Sequence, residues 1–160
     1  MRIFVLVLFS FFCISCASTR KQAVTSVDIL EIKPRYIEAE QFKRISEYLT
    51  GQEHKGGRVI LRTNSEKRGG YYFTLILDQS VRDLPVGTVI VGDFLTPKSI
   101  DMQQHTFALP AKLPKAEEIF IGLTGEDWPA KDALPSAWRF TIKDANGATL
   151  GTEKSYLWGF

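Results

Sequence analysis

Apolar residues follow three different patterns along this chain of 160 residues. Positions 3–12 form one apolar run that only Ser10 interrupts. Positions 38–50 repeat apolar residues at helical spacing, and beyond residue 56 they come in short runs or alternate with polar residues. Because such alternation is typical of half-buried strands, the sequence predicts a mainly β domain that contains one helix.

The predicted helix covers residues 38–50 and rests on one apolar stripe. The stripe consists of Phe42, Ile45, Tyr48 and Leu49. We expect this face to be buried against a sheet, where replacing Leu49 by alanine would cost about 2–5 kcal/mol. Glu40 and Arg44 form a favourable pair four residues apart, and Gly51 stands where a glycine commonly ends a helix.

One segment before the helix and seven after it predict strands, each bounded by glycine, proline or small polar residues. They are residues 27–32, 58–63, 71–78, 88–95, 105–109, 118–123, 137–143 and 149–158. Pro34 is expected to end the first strand, because proline cannot donate to a strand ladder. Their close spacing predicts a single domain, residues 27–160, folded as an antiparallel β-sandwich of about seven strands with one N-terminal amphipathic helix.

The strand over residues 71–78 carries apolar residues on both faces. Its inward row consists of Tyr71, Phe73, Leu75 and Leu77. Since Tyr72 and Ile76 on the opposite face are also apolar, we expect a second layer, the helix, to cover that face.

The apolar run at residues 3–12 follows one positive residue, Arg2, and ends before Thr19 and Arg20. A membrane-spanning helix needs about 20 apolar residues, so this run is too short to span a bilayer. A short positive region followed by about ten apolar residues is typical of an export signal. Residues 1–15 are therefore predicted to be a signal peptide.

Residues 13–16 read Cys-Ile-Ser-Cys and resemble the lipobox of bacterial lipoproteins, although Cys13 stands where leucine is usual. The resemblance implies that Cys16 is lipidated and that residues 16–26 form a tether to a membrane. Ala17 follows Cys16, as in lipoproteins directed to the outer membrane, so we expect a location there facing the periplasm. Ordinary cleavage after Ala17 is the alternative, and it predicts a soluble periplasmic or secreted protein.

The strand pattern of the mature part resembles an immunoglobulin-like β-sandwich without the Cys…Trp…Cys signature of true immunoglobulin domains. The chain is also similar to small uncharacterised lipoproteins of the Gram-negative envelope. These resemblances imply a fold and a location, and no activity.

The charge balance and the cysteine content limit the classes of function that this chain can have. The chain has 20 Lys and Arg against 18 Asp and Glu, and this balance gives no basic footprint for nucleic acid. Both cysteines lie in the leader, so the mature part has no disulfide or thiol nucleophile. His54 and His105 are isolated and are expected to be solvated, so the sequence predicts no metal site and no cofactor.

Two groups of polar residues are candidates for binding. The first is a loop in which Glu126 and Asp127 precede Trp128, since carboxylates beside an exposed indole suit sugar recognition. The alternative for this loop is a solvated turn in which Trp128 packs against the edge of the sandwich. The second is a basic group, Lys55, Arg58, Arg62, Lys67 and Arg68, which could meet an anionic surface or simply be solvated.

The sequence therefore predicts a non-catalytic binding or structural module of the cell envelope. Its expected partners are a membrane, through the lipid anchor, and another envelope protein or a cell-wall polymer. One alternative is a carbohydrate- or cell-wall-binding module that uses Trp128. Another is a glycosidase-type enzyme that uses Glu126 or Asp127, although such enzymes need a second carboxylate across a cleft.

Overall fold

The computed structural model describes residues 24–97, 99, 101–128 and 131–159, so the predicted signal peptide and Cys16 lie outside the described residues. Within these ranges the chain forms eight strands. They are β1 (Ile29–Ile37), β2 (Val59–Arg62), β3 (Gly70–Leu77), β4 (Val89–Leu95), β5 (Gln103–Ala108), β6 (Glu118–Thr124), β7 (Ala137–Lys143) and β8 (Thr149–Lys154). Helical structure in the same ranges comprises α1 (Ile45–Thr50) and three 3₁₀ turns, Ala39–Phe42, Val81–Asp83 and Gly125–Asp127.

The strands form two four-stranded sheets. Sheet A has the order β1-β3-β6-β2, and sheet B has the order β5-β4-β7-β8. Sheet B is antiparallel throughout, whereas β2 in sheet A runs parallel to β6. The mainly β prediction is confirmed, and the parallel β2–β6 pair departs from the antiparallel expectation.

One hydrophobic core lies between the two sheets in a sandwich-like arrangement. The ring of Phe73 on β3 meets Phe94 on β4 at a centroid distance of 5.3 Å and Phe140 on β7 at 5.2 Å. The predicted inward row of β3 is buried in this core, because alternate residues of a strand point to the same face.

A smaller apolar cluster covers the outer face of sheet A. Its members are Ile37, Phe42, Ile60, Tyr72 and Phe120. The ring of Phe42 packs on Tyr72 at 4.8 Å. β3 is therefore covered on both faces, as its sequence predicts, but the cover comes from Phe42 and not from a long helix.

The cover belongs to a crossover, residues 38–58, that joins β1 to β2. The pairings of β1 with β3, of β3 with β6 and of β6 with β2 make β1 and β2 parallel. Parallel strands cannot be joined by a tight turn, so the chain must cross the sheet before β2 begins.

The single helix expected over residues 38–50 is wrong, and the expectation that its apolar stripe is buried holds only for Phe42. Lys43 and Arg44 are extended, with ψ of 135° and 155°, and they divide the segment into a 3₁₀ turn and α1. Phe42 is 3% exposed, whereas Leu49 is 87% exposed. The outer face of the sheet accepts the Phe42 ring, and the break in the helix turns the later apolar residues towards solvent.

Two strand boundaries also differ from the sequence prediction. β1 continues through Pro34 to Ile37, because β1 is an edge strand and edge strands tolerate proline where its missing N–H would face solvent. β8 ends at Lys154, and turns follow at residues 156–159.

The strand registers define two ends of the sandwich. At the N-terminal end, the Val27 N–H donates to the Leu150 carbonyl oxygen at 2.9 Å, and Ile29 pairs with Leu77. At the opposite end, the loop end, Gly70 pairs with both Ile37 and Thr124. The nine residues of β1 separate these ends by about 30 Å at a strand rise of about 3.3 Å per residue.

Candidate functional site

The loop end of sheet A is built from two connected loops, residues 63–69 and 124–128. The Thr124 hydroxyl donates to the Asn64 carbonyl oxygen and accepts from the Asn64 N–H, both at 2.9 Å. The Thr63 hydroxyl accepts from the Thr124 N–H at 3.0 Å. Thr124 is fully buried, so these hydrogen bonds hold the two loops in one fixed arrangement.

Trp128 closes this end of the core. Its side chain is 6% exposed, and its ring packs on Tyr71 at a centroid distance of 4.5 Å. Its Nε1 is buried without a hydrogen-bond partner among the described residues. Of the two interpretations of Trp128, the structure agrees with packing against the protein, and the exposed stacking face is wrong, because the indole is part of the core.

The two carboxylates before Trp128 occupy different environments. Glu126 is exposed, whereas Asp127 is half-buried. One Asp127 carboxylate oxygen lies 4.0 Å from Nε2 of His105 on β5. His105 was expected to be solvated, but its Nε2 is buried, because Gln103, His105 and Phe107 alternate towards the core.

Two adjoining open grooves lie at this end. The first has a volume of about 610 Å³. Its lining includes Tyr36, Lys67, Arg68, Gly70, Trp128 and Lys131. The second, of about 700 Å³, is lined by residues that include Ser65, Glu66, Glu126 and Asp127. The structure thus brings the three predicted loop residues to one end of the sandwich. Trp128 is a core residue that also lines the first groove, whereas Glu126 and Asp127 line the second.

A cluster of four charged residues and one tyrosine, which we call the clamp, connects the crossover to sheet A. The clamp consists of Glu47, Glu53, Arg62, Arg68 and Tyr72. Arg62, with a side chain 3% exposed, donates to both carboxylate oxygens of Glu53 at 3.0 and 2.7 Å and to the Tyr72 hydroxyl at 2.8 Å. Arg68 donates to Glu47 at 2.5 Å. The Tyr72 hydroxyl donates in turn to the Arg68 carbonyl oxygen at 2.6 Å.

Contacts within the clamp shift the pKa values of several of its side chains. The hydrogen bonds from Arg62 hold the pKa of Glu53 below its ordinary value, and the hydrogen bond from Arg68 does the same for the pKa of Glu47. Burial raises the pKa of the Tyr72 phenol although Arg62 opposes the shift. At neutral pH the clamp therefore contains ionised carboxylates and a neutral phenol.

The clamp accounts for two members of the basic group found in the sequence. Arg62 and Arg68 are paired, and the guanidinium of Arg58 lies 5.8 Å from the ring centroids of both Phe42 and Phe120. Sequence reasoning missed the clamp because Glu53 precedes Arg62 by 9 positions and Glu47 precedes Arg68 by 21. The strand predicted over residues 58–63 carries Arg58 and Arg62, and two arginines on one short strand were the available signal that acidic partners lay elsewhere.

The described ranges contain no cluster of three or more His, Cys, Asp or Glu residues that could hold a metal ion. They also contain no helix that is long and apolar enough to cross a membrane. No family model, curated protein or solved structure matches this chain. Its function must therefore be argued from its own residues.

Proposed function

We propose that this chain is a lipoprotein of the bacterial cell envelope, lipidated at Cys16, whose mature part is a non-catalytic binding or structural module. The lipobox-like residues 13–16 and the export signal before them support the anchor. The two sheets around one core support an immunoglobulin-like sandwich as the finer description of the fold. Ala17 supports delivery to the outer membrane.

The position of Val27 in the fold is the observation that carries this proposal. The backbone at Val27 enters the fold at the N-terminal end, bonded to Leu150, whereas the grooves beside residues 63–69 and 124–128 lie at the loop end. A tether that leads from Cys16 to Val27 would therefore not obstruct the grooves. Loops held on a rigid β framework are common places for binding residues.

Metabolic labelling with palmitate tests the anchor. The wild-type chain should incorporate the label, Cys16→Ser should abolish incorporation, and Cys13→Ser is the matched control that should retain it. Labelling that survives Cys16→Ser, or a mature chain that begins at Ser18, would contradict the proposal. In the same cells, Ala17→Asp should move the protein from outer-membrane to inner-membrane fractions.

A second candidate function is binding of a carbohydrate or cell-wall polymer at the loop end. The groove lined by Ser65, Glu66, Glu126 and Asp127 favours it, because hydroxyl and carboxylate groups can hydrogen-bond to sugar hydroxyls. Since Trp128 is buried, the contact would depend more on these polar groups than on stacking. The double variant Glu126→Gln, Asp127→Asn should fail to bind in a peptidoglycan pull-down. The control variant Asp144→Asn, at the opposite end of the sandwich, should bind as the wild type does.

A further inference from the structure

The crossover presents three large apolar side chains to solvent on one side of α1. Ile45 is 85% exposed, Tyr48 78% and Leu49 87%. At spacings of three and four residues they share a helix face, which we call the α1 face. An apolar patch that remains exposed in a folded domain commonly marks a surface for interaction.

The clamp holds the α1 face away from sheet A. The Glu47 carboxylate, on α1, bonds to Arg68 and also accepts from the backbone N–H groups of Arg44 at 3.3 Å and His54 at 3.2 Å. Beyond the helix, Glu53 bonds to Arg62. Polar contacts therefore fix both α1 and the chain that follows it, so the outward direction of the apolar side chains is built into the fold.

The surroundings of the α1 face carry an excess of positive charge. The crossover contains four basic residues, Lys43, Arg44, Lys55 and Arg58. Of its four glutamates, three are paired with bases outside the crossover: Glu38 with Lys131, Glu47 with Arg68 and Glu53 with Arg62. The fourth, Glu40, lies 3.7 Å from Lys43. The charge that the crossover presents to a partner is therefore basic.

Two of these cations, Lys43 and Arg44, immediately precede α1, and both are exposed. Cations beside an exposed isoleucine, leucine and tyrosine are the combination by which amphipathic segments bind anionic bilayers.

We propose that the α1 face docks on an anionic lipid bilayer, with Ile45, Tyr48 and Leu49 at the level of the headgroups and Lys43 and Arg44 against the headgroup phosphates. This inference rests on the membrane attachment proposed above, because a tether raises the effective concentration of the domain at the bilayer and a weak contact then suffices. The bound domain lies with sheet A towards the bilayer.

The reach of the tether allows this orientation. The 11 peptide units from residue 16 to residue 27 can span at most about 35–40 Å, which exceeds the length of about 30 Å estimated for β1 from its strand rise. The domain can therefore lie along the bilayer, and the grooves at the loop end then open to the side.

A local fluorescent probe tests the contact in the full chain. Cys13→Ser and Cys16→Ser remove the natural thiols, and Leu49→Cys then carries an environment-sensitive nitrobenzoxadiazole label. The matched control places the same label through Val86→Cys, at a residue that is 86% exposed and lies at the N-terminal end of sheet B. An N-terminal histidine tag replaces the acyl anchor by holding each protein on vesicles that carry a nickel-chelating lipid. The vesicles contain phosphatidylcholine alone or with added phosphatidylglycerol, and flotation confirms the bound fraction.

The label at residue 49 should shift to the blue on vesicles that contain phosphatidylglycerol, and the label at residue 86 should not. Lys43→Gln with Arg44→Gln should remove the shift. The proposal is overturned if residue 49 stays solvated on floated protein, or if phosphatidylcholine alone gives the same shift. It is equally overturned if the shift grows with protein concentration without lipid, which would indicate a second copy as the partner. Because Cys16 is replaced throughout, a negative result leaves the palmitate experiment to decide the anchor separately.

Discussion

Phe42 and Leu49 belong to one apolar stripe in the sequence, but the structure gives them opposite environments. Phe42 is 3% exposed, and Leu49 is 87% exposed. Replacing each by alanine therefore distinguishes two models of this segment. In a continuous helix packed on the sheet, both side chains are core residues. In the interrupted crossover, only Phe42 is a core residue.

The contacts of Phe42 set the size of the expected effect. Its ring packs on Tyr72 at 4.8 Å, and the guanidinium of Arg62 lies 5.1 Å from its centroid. Removing a buried phenylalanine side chain costs about 3–5 kcal/mol of unfolding free energy. The alanine variant also loses the cation–π contact with Arg62, and the range of about 3–5 kcal/mol already includes the energy of that contact. Leu49→Ala removes a solvated side chain and should change the free energy of unfolding by less than about 0.5 kcal/mol.

Urea denaturation followed by circular dichroism measures both variants. With a slope of about 1.5–2 kcal/mol per molar urea, Phe42→Ala should lower the midpoint by about 2 M, and Leu49→Ala should lower it by less than about 0.3 M. Equal shifts for the two variants, or a loss above about 1 kcal/mol for Leu49→Ala, would show that the α1 face is packed and would refute the interrupted crossover.

Three further outcomes are expected. The folded-state pKa of Glu53 lies below its ordinary value near 4.5 because Arg62 bonds to it, so the pair stabilises the fold above that pH and its contribution disappears as the pH falls through the folded pKa. Urea midpoints from pH 3 to 7 should thus depend less on pH in Glu53→Gln. Gly70→Ala should cost about 1–3 kcal/mol or more because a methyl group would overlap the Leu123 carbonyl oxygen, whereas Gly69→Ala, whose methyl group finds space, should melt close to wild type. Trp128→Ala should lower stability by about 3–5 kcal/mol, and an unchanged melting temperature would contradict its place in the core.

The strands could be predicted from the sequence because their signals are local. Residues 137–143 alternate and are bounded by turn residues, and β7 has these same bounds. The turn that follows is held by the Asp144 carboxylate, which accepts from the N–H groups of Asn146 and Ala148, as the short polar residues there suggest.

The crossover could not be predicted, because its conformation is decided by residues far along the chain. The periodicity of residues 38–50 is the same whether the helix lies on the sheet or is interrupted. Phe42 completes the apolar cluster on the outer face of sheet A, where its ring packs on Tyr72. Glu53 finds its partner, Arg62, on β2, and Glu47 finds its partner, Arg68, in the loop before β3. A single-sequence pattern carries no information on pairs that form only when β3 and β6 are already adjacent.

The candidate loop was found by its composition, but its environment was not. Glu126 and Asp127 line a groove, as their polarity suggests. The burial of Trp128 depends on Tyr71, which lies 57 positions earlier and reaches the same end of the core through the β3–β6 register. Composition identified the residues that could bind a ligand, but it could not decide whether the Trp128 indole is exposed or buried.

The interleaving of the two sheets has a consequence for how the chain folds. β6 lies inside sheet A between β3 and β2, so the strands made first cannot complete their own sheet until residues 118–124 are present. Sheet B has the same dependence, because β7 is inserted beside β4. Contacts between distant parts of a sequence make folding slow, since long loops must close before any contact is gained.

The hydrogen bond from Val27 to Leu150 joins the segment just before β1 to β8, so this contact can form only after residue 150 has been made. A chain that ends before residue 118 can form only the β1–β3 and β4–β5 pairs, so we expect neither sheet to be complete until β6 and β7 have been made. Until then the inward face of β3 lacks its partners on β7, so we expect incomplete chains to expose apolar surface and to aggregate more readily than the finished domain.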